Sequence, residues 1–256
     1  MDHIEIYNKW LSDGRLCGEG RAELEGIKEN KEEIEYRFGA ELAFGTAGLR
    51  GIIGYGTNMM NIYTVKRATQ GLAEFIKTLG EAAMKRGVAI SYDTRLKSDE
   101  FARAAADVLA ANGIRSYLFT DVHPVPMLSF AVRCLKTVAG IMVTASHNPK
   151  QYNGYKVYGE DGAQMNPEDT EKVVSFIEKQ TDYLGATEPT EEQRRKFCKN
   201  VPASVDRKYY KALTRLALSK EAVKRCGKDL KRGCWPACMS FPPWRERKSR
   251  PRYSPC

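Results

Sequence analysis

Three short apolar strands recur along the chain at intervals that leave room for one amphipathic helix between neighbours, and this alternation admits few architectures. The strands are predicted over Val88 to Tyr92 (VAISY), Arg115 to Phe119 (RSYLF) and Ala139 to Val143 (AGIMV). Asn61 is placed to cap a helix whose apolar positions are Ile62, Val65, Leu72, Phe75, Ile76 and Leu79. Ser98, with Asp99 and Glu100 after it, predicts the cap of a second helix that carries Phe101, Val108 and Leu109 inward and stops at Asn112-Gly113. A third helix is expected near Met127 to Leu135, behind His123-Pro124-Val125-Pro126. Buried strands alternating with helices predict a layered α/β/α domain with a mixed, largely parallel sheet. Its functional loops then follow the C-terminal ends of strands.

The flanks read differently. Residues 1–40 alternate acidic and basic groups around Ile4, Tyr7, Leu11, Leu24, Ile27, Ile34 and Phe38, which predicts two helices broken near Gly18 and Gly20. Phe44 to Gly56 (FGTAGLRGIIGYG) has no helical period and reads as a turn-rich loop feeding a short strand. After Val143, Asn153-Gly154 and Asp161-Gly162 are turn signals around a strand expected at Tyr155 to Tyr158, and Asn166-Pro167 opens a helix through Ile177. Gln180 to Glu192 reads as a polar linker, and 203–225 as helix, with a strand expected after Gly227 to Lys231.

At 256 residues the chain exceeds one ordinary domain of roughly 150. Its formal charge of +9 invites a nucleic-acid or acidic-membrane partner, but the charge is unevenly placed. Lys231 to Cys256 hold seven Lys or Arg against Glu246, so residues 1–230 carry only +3. The same 26 residues hold three of seven cysteines, two of three tryptophans and five of eleven prolines. No secretory signal is visible, and no apolar run approaches the roughly 20 residues that span a bilayer, so no membrane partner and a cytoplasmic setting are expected. Cys17, Cys134, Cys198 and Cys226 are scattered as reduced thiols would be.

Thr144-Ala145-Ser146-His147-Asn148-Pro149 stands directly after a buried strand, which puts the Ser146 hydroxyl at the mouth of a sheet. A hydroxyl that carries phosphate needs cationic and hydrogen-bonding neighbours, and His147, Asn148, Lys156 and the glycine-flanked Arg50 could supply them. Each has a plainer reading: Ser146 and His147 as loop residues satisfying backbone groups, Arg50 and Lys156 as solvated cations. The glycine loop has neither nucleotide-binding pattern, Ser146 lacks the G-x-S-x-G elbow of serine hydrolases, and His3 and His123 are isolated.

Four ordered segments, FGTAGLRG, YDTR at Tyr92 to Arg95, TASHNP and YNGYKVYGEDGAQ, together resemble the phosphoglucomutase/phosphomannomutase (phosphohexomutase) superfamily, in its phosphoglucomutase/phosphopentomutase-like branch with a helical N-terminal extension. The likeness runs over residues 1 to about 230. It implies an extension over 1–40, phosphohexomutase domain I with its phosphoserine loop over 41–182, a linker over 183–202 and the start of a second domain over 203–230. It also implies that Ser146 is the phosphorylated serine and ligates Mg²⁺ through its phosphate, and that Lys156 moves protons. Arg50 and His147 would hold and polarise the phosphoryl group, Asn148 would shape the loop, and these five residues would bind a phosphosugar. Asp93 and Arg95 match a motif read as structural support. The implied reaction interconverts hexose 1-phosphate and hexose 6-phosphate, with a glucose 1,6-bisphosphate-type activator. Phosphopentose or phosphomannose specificity, or a non-catalytic phosphosugar-binding role, are the alternatives.

The family's D-G-D-G-D-R metal loop and G-E-x-S-G sugar loop are absent from the sequence, so little or no turnover is expected of this chain alone. The abrupt change of composition after about Lys231 is expected to reflect out-of-frame translation. The rival is a functional tail in which Cys226, Cys234, Cys238 and Cys256 bind zinc and the arginines bind nucleic acid. That spacing lacks a paired knuckle, and the expected partner is a phosphosugar rather than a nucleic acid.

Overall fold

The structure, a computed structural model, describes residues 2–46 and 48–216. The chain forms two units, Met1–Asp206 and Arg207–Cys256, and the architecture that follows is that of the first together with the beginning of the second. It opens with three helices, α1 His3–Ser12, α2 Gly18–Gly26 and α3 Lys31–Phe38, where the sequence pattern predicts two. Gly18 and Gly20 do not break a helix; they begin α2, which Cys17 caps by accepting the Gly20 N–H on Sγ. Gly20 instead permits close packing, since a Cβ there would lie 2.8 Å from the Tyr55 ring.

There follow β1 Gly48–Ile52, α4 Ile62–Thr78, α5 Glu81–Arg86, β2 Val88–Tyr92, α6 Ser98–Ala111, β3 Ser116–Leu118, α7 Val125–Leu135, β4 Ala139–Val143, β5 Tyr152–Gly159, α8 Pro167–Glu178, α9 Glu191–Phe197, β6 Cys198–Asn200 and α10 Ala203–Leu216. The six strands form one sheet in the order β1-β5-β4-β2-β3-β6. β4, β2, β3 and β6 run parallel to one another, while β5 is antiparallel to both β4 and β1. Every residue of β2 and β4 is buried, as expected of central parallel strands covered on both faces.

Alternating side chains divide the core. Val88, Ile90, Ile141, Val143, Tyr155 and Val157 face Val65, Leu72 and Ile76 of α4, Phe101 and Leu109 of α6, and Val173 and Ile177 of α8. Ala89, Met142 and Tyr158 face Leu128 and Val132 of α7. Each fully buried aliphatic side chain contributes roughly 1.5–3 kcal/mol. The opening helices pack through Tyr7, Trp10, Leu24 and Phe38 onto Tyr55, Tyr63, Tyr183 and Leu184. There Trp10 meets the edges of Phe38 and Tyr63 at 5.6 Å, pairings worth about 0.5–1.5 kcal/mol each beyond burial.

Several boundaries differ from those the pattern predicts. Lys97, in the left-handed region at φ +59°, holds the cap position of α6, and Ser98 is its first helical residue because its hydroxyl is committed to Asp93 Oδ1. The strand predicted over Arg115 to Phe119 is confined to Ser116–Leu118, and α5 has no counterpart in the pattern. The polar segment read as a linker contains the start of α9, capped by Thr190, which leads into β6 beside β3. α10 contains the first part of the helix predicted over 203–225. The remainder, the strand expected after Gly227 to Lys231, and the tail lie outside the described residues.

The largest difference concerns Asn153-Gly154, which makes no turn: β5 runs straight through it. The Asn153 side chain is fully buried and its Nδ2 donates to Leu96 O and Ser98 Oγ, both at 2.9 Å. At Gly154 a Cβ would lie 2.7 Å from Thr144 O and 2.9 Å from Leu49 O, so the glycine serves a three-strand close approach. Gly154→Ala should therefore cost about 1–3 kcal/mol in a urea unfolding curve. Gly18→Ala, where a Cβ meets nothing within 4 Å, should leave the midpoint unchanged or raised. Equal midpoints for G154A and the parent would contradict the close-approach reading.

Candidate active site at the mouth of the sheet

The central strand β4 ends at Val143, and its pairing extends one residue further because the Thr144 N–H donates to Gly154 O at 2.9 Å. The chain then turns at once. Ser146 takes φ +56°, a left-handed conformation that costs a non-glycine residue roughly 1–2 kcal/mol. Its N–H donates to Thr144 Oγ1 at 3.0 Å, and the Asn148 N–H closes the turn on Ala145 O at 3.1 Å. Ala145 is buried and Ser146 exposed, so the turn lifts the hydroxyl out of the mouth of the sheet. Ser146 Oγ lies 3.4 Å from Nδ1 of the exposed His147 ring. A non-glycine residue held at positive φ beside a strand end is a common mark of a functional loop.

The cations arrive on the strands alongside. In the β1–β5 ladder Arg50 lies opposite Gly154 and Gly48 opposite Lys156, so Arg50 and Lys156 are diagonal neighbours on one face of the sheet. Gly154 also bonds Thr144, two residues before the serine, which ties both cations to the turn. Neither side chain forms an ion pair or hydrogen bond among the described residues. Burial, and after it the neighbouring Arg50 charge, holds the Lys156 amine below its ordinary pKa. Two adjacent uncompensated cations favour an anion, and deprotonation of one of them is easier than for an isolated lysine.

Asn148 contributes an orphan: its Oδ1 is buried without a hydrogen-bond partner and accepts nothing from the loop. Asp93, held at the end of β2 by its N–H to Val143 O, accepts from the Arg95 N–H at 3.0 Å and from Ser98 Oγ at 2.9 Å. The five residues singled out in the sequence thus fall on two adjoining pieces, Ser146, His147 and Asn148 on the turn and Arg50 and Lys156 on the paired strands. Thr144 and Asn153 also matter, as partners of the turn and of the loop after β2, and motif reading assigns neither of them a role. Among the described residues no group of three or more His, Cys, Asp or Glu could hold a metal ion. Cys17, Cys134 and Cys198 form no disulfide, and the cysteines proposed for zinc in the tail lie outside the described residues.

Comparison with known proteins fits this geometry. The profile of "Phosphoglucomutase/phosphomannomutase, alpha/beta/alpha domain I" matches residues 41–184, more than half of the chain. The chain belongs to the phosphoglucomutase/phosphomannomutase family. Curated relatives called phosphoglucomutase include one from Staphylococcus aureus strain USA300, 43% identical over 185 residues, and one from the bovine strain RF122, 44% identical over the same length. Each match takes in 72% of this chain and 33% of the relative, so the chain spans about a third of the length of the curated relatives it matches. A crystal structure from Thermus thermophilus, assigned as a phosphomannomutase, superposes with a TM-score of 0.58 at 30% identity, over 72% of this chain and 38% of that one.

In this family setting Lys156 provides a direct test of the electrostatics. A pH titration of its amine should give a pKa below that of an ordinary lysine. Arg50→Ala should move that pKa upward, because a positive neighbour has been removed. A downward move, or none, would show that the two side chains do not share a site.

Proposed function

We propose that the chain carries the phosphoryl-transfer half of a phosphosugar mutase, with Ser146 as the group that gives and receives phosphate. The observation that supports this most strongly is the exposed Ser146 hydroxyl at a left-handed turn, with two cations that lack counter-charges on the paired strands alongside. In the forward step the bond between Ser146 Oγ and phosphorus breaks as a sugar hydroxyl oxygen bonds to phosphorus. The proton of that hydroxyl passes to Lys156 in its neutral form and from there to the departing Ser146 Oγ, which becomes a hydroxyl again; the downward shift of the Lys156 pKa favours its taking up and releasing a proton. The return step runs these changes backwards from the other phosphate of the sugar bisphosphate, leaving the phosphate moved between positions. Arg50 suits the phosphoryl oxygens as a planar donor, and His147 Nδ1 stands 3.4 Å from the serine oxygen. Asn148 shapes the turn, its N–H closing on Ala145 O.

Hexose phosphates are the proposed substrates, supported by the relatives named phosphoglucomutase, with a glucose 1,6-bisphosphate-type activator. Mg²⁺ is the metal expected with such a phosphoserine. Among the described residues no cluster of three or more His, Cys, Asp or Glu would hold it, so a phosphate on Ser146 is the ligand this region would offer. No helix among the described residues is long and apolar enough to cross a membrane, and a cytoplasmic setting suits both the cysteines outside disulfides and a phosphosugar substrate.

Incubation of the chain with glucose 1,6-bisphosphate and Mg²⁺ should add one phosphate at Ser146, detectable by intact mass and peptide mapping and absent from Ser146→Ala. Lys156→Met should slow this labelling by about 10²-fold or more. Conversion of glucose 1-phosphate to glucose 6-phosphate by this chain alone should be slight or nil, because its sequence lacks the family's metal and sugar loops. Labelling elsewhere than Ser146 would overturn the proposal, and brisk turnover would overturn the dependence on those loops.

A further inference from the structure

We propose that Arg95 is a positioning residue for the Ser146 turn, holding the reactive serine in its left-handed conformation through the backbone alone. This rests on the reading of Ser146 as the phosphoryl-carrying group. The Arg95 guanidinium gathers four carbonyl oxygens from one loop. Nη2 donates to Ser146 O at 2.8 Å and Asn148 O at 2.6 Å, and Nη1 donates to Pro149 O at 2.9 Å and Tyr152 O at 3.1 Å. Its Nε faces Asp93 Oδ2 at 3.6 Å, and its own N–H is fixed on Asp93 Oδ1, so the fork is aimed from below by the residue that follows β2. The side chain is only 14% exposed, which makes these bonds poorly replaceable by water.

The loop has little else to hold it. Within residues 144–152 the backbone N–H groups of Thr144, Ser146, Asn148 and Tyr152 bond Gly154 O, Thr144 Oγ1, Ala145 O and Pro149 O, and Gln151 O accepts from the Ile53 N–H, so the stretch from Ser146 to Lys150 is held to the rest of the fold by little else. Among the described residues Arg95 joins both ends and the apex of the loop, and it does so without bonding the serine hydroxyl, His147, Arg50 or Lys156. A planar fork with donors on two nitrogens can hold two pairs of carbonyls at once. An ammonium, with its donors at one point, cannot. Arg95→Lys keeps the charge and loses the fork.

The test compares the parent chain with Arg95→Ala and Arg95→Lys. Amide exchange at Ser146, Asn148 and Tyr152 should quicken by about tenfold or more in both variants, while the amides of β2 and β4 keep their protection. At saturating glucose 1,6-bisphosphate the rate of Ser146 labelling should fall by about tenfold or more, with bisphosphate affinity nearly unchanged. Millimolar methylguanidinium should restore part of the loss in R95A. Unchanged loop exchange, a lysine variant equal to the parent, or a loss that appears wholly as weaker bisphosphate binding would each overturn the proposal. If R95A does not fold, R95K decides. If the parent chain is never labelled, the reading of Ser146 falls, and the exchange comparison by itself upholds or overturns the role of Arg95 at the loop.

Discussion

An exposed hydroxyl at the end of a buried central strand imposes a severe local constraint, because the chain must leave the sheet within two residues without stranding its backbone polar groups. The turn at Ser146 meets it at φ +56°, a conformation its neighbours must impose. Thr144 extends the β4–β5 pairing, its hydroxyl takes the serine N–H, and β5 returns antiparallel so closely that only glycine fits at position 154. The loop after β2 is tied to both: Asp93 bonds Val143, and Asn153 bonds Leu96 and Ser98. Strand order, turn and candidate site are thus consequences of one packing problem at the mouth of the sheet.

The electrostatics follow from the same geometry. Several cations elsewhere among the described residues are matched by carboxylates: Arg194 with Asp107, Arg67 with Glu41, Arg86 with Glu160. Arg50 and Lys156, on the strands beside the turn, are not, and burial, with the Arg50 charge after it, depresses the lysine. Unmatched like charges on adjacent strands cost stability, and an anion bound between them would recover it. The formal charge of +9 says little about this site, since most of it falls in residues 231–256; two side chains say more.

The central strands are legible to the residue, Val88–Tyr92 and Ala139–Val143, because strands buried on both faces must be apolar throughout and must end where the helical period begins. Helices α4 and α8 are equally legible from Asn61 and Asn166, whose side chains do cap them. Sequence reading fails where a local signal serves a tertiary end. Asn153-Gly154 has the chemistry of a hairpin turn, yet its amide is spent on the neighbouring loop and its missing Cβ on strand approach. Gly18 and Gly20 look like helix breakers and begin a helix. The polar run ending near Glu192 reads as structureless because the edge strand it leads to, Cys198–Asn200, is three residues long and carries almost no periodic signal. Of the site, residue types and motif order are visible in sequence. The left-handed turn, the diagonal placement of Arg50 and Lys156, and the orphaned Asn148 oxygen are not, because each depends on strand register.

The central claim is that the Ser146 turn and the cations of β1 and β5 form one phosphate site. Its most direct test is a crystal structure of the chain soaked with tungstate as a phosphate mimic. A single oxyanion within hydrogen-bonding reach, about 3 Å, of Ser146 Oγ and of the Arg50 or Lys156 nitrogens would bear the claim out. Full occupancy at another surface, with the space beside Ser146 left to water, would contradict it.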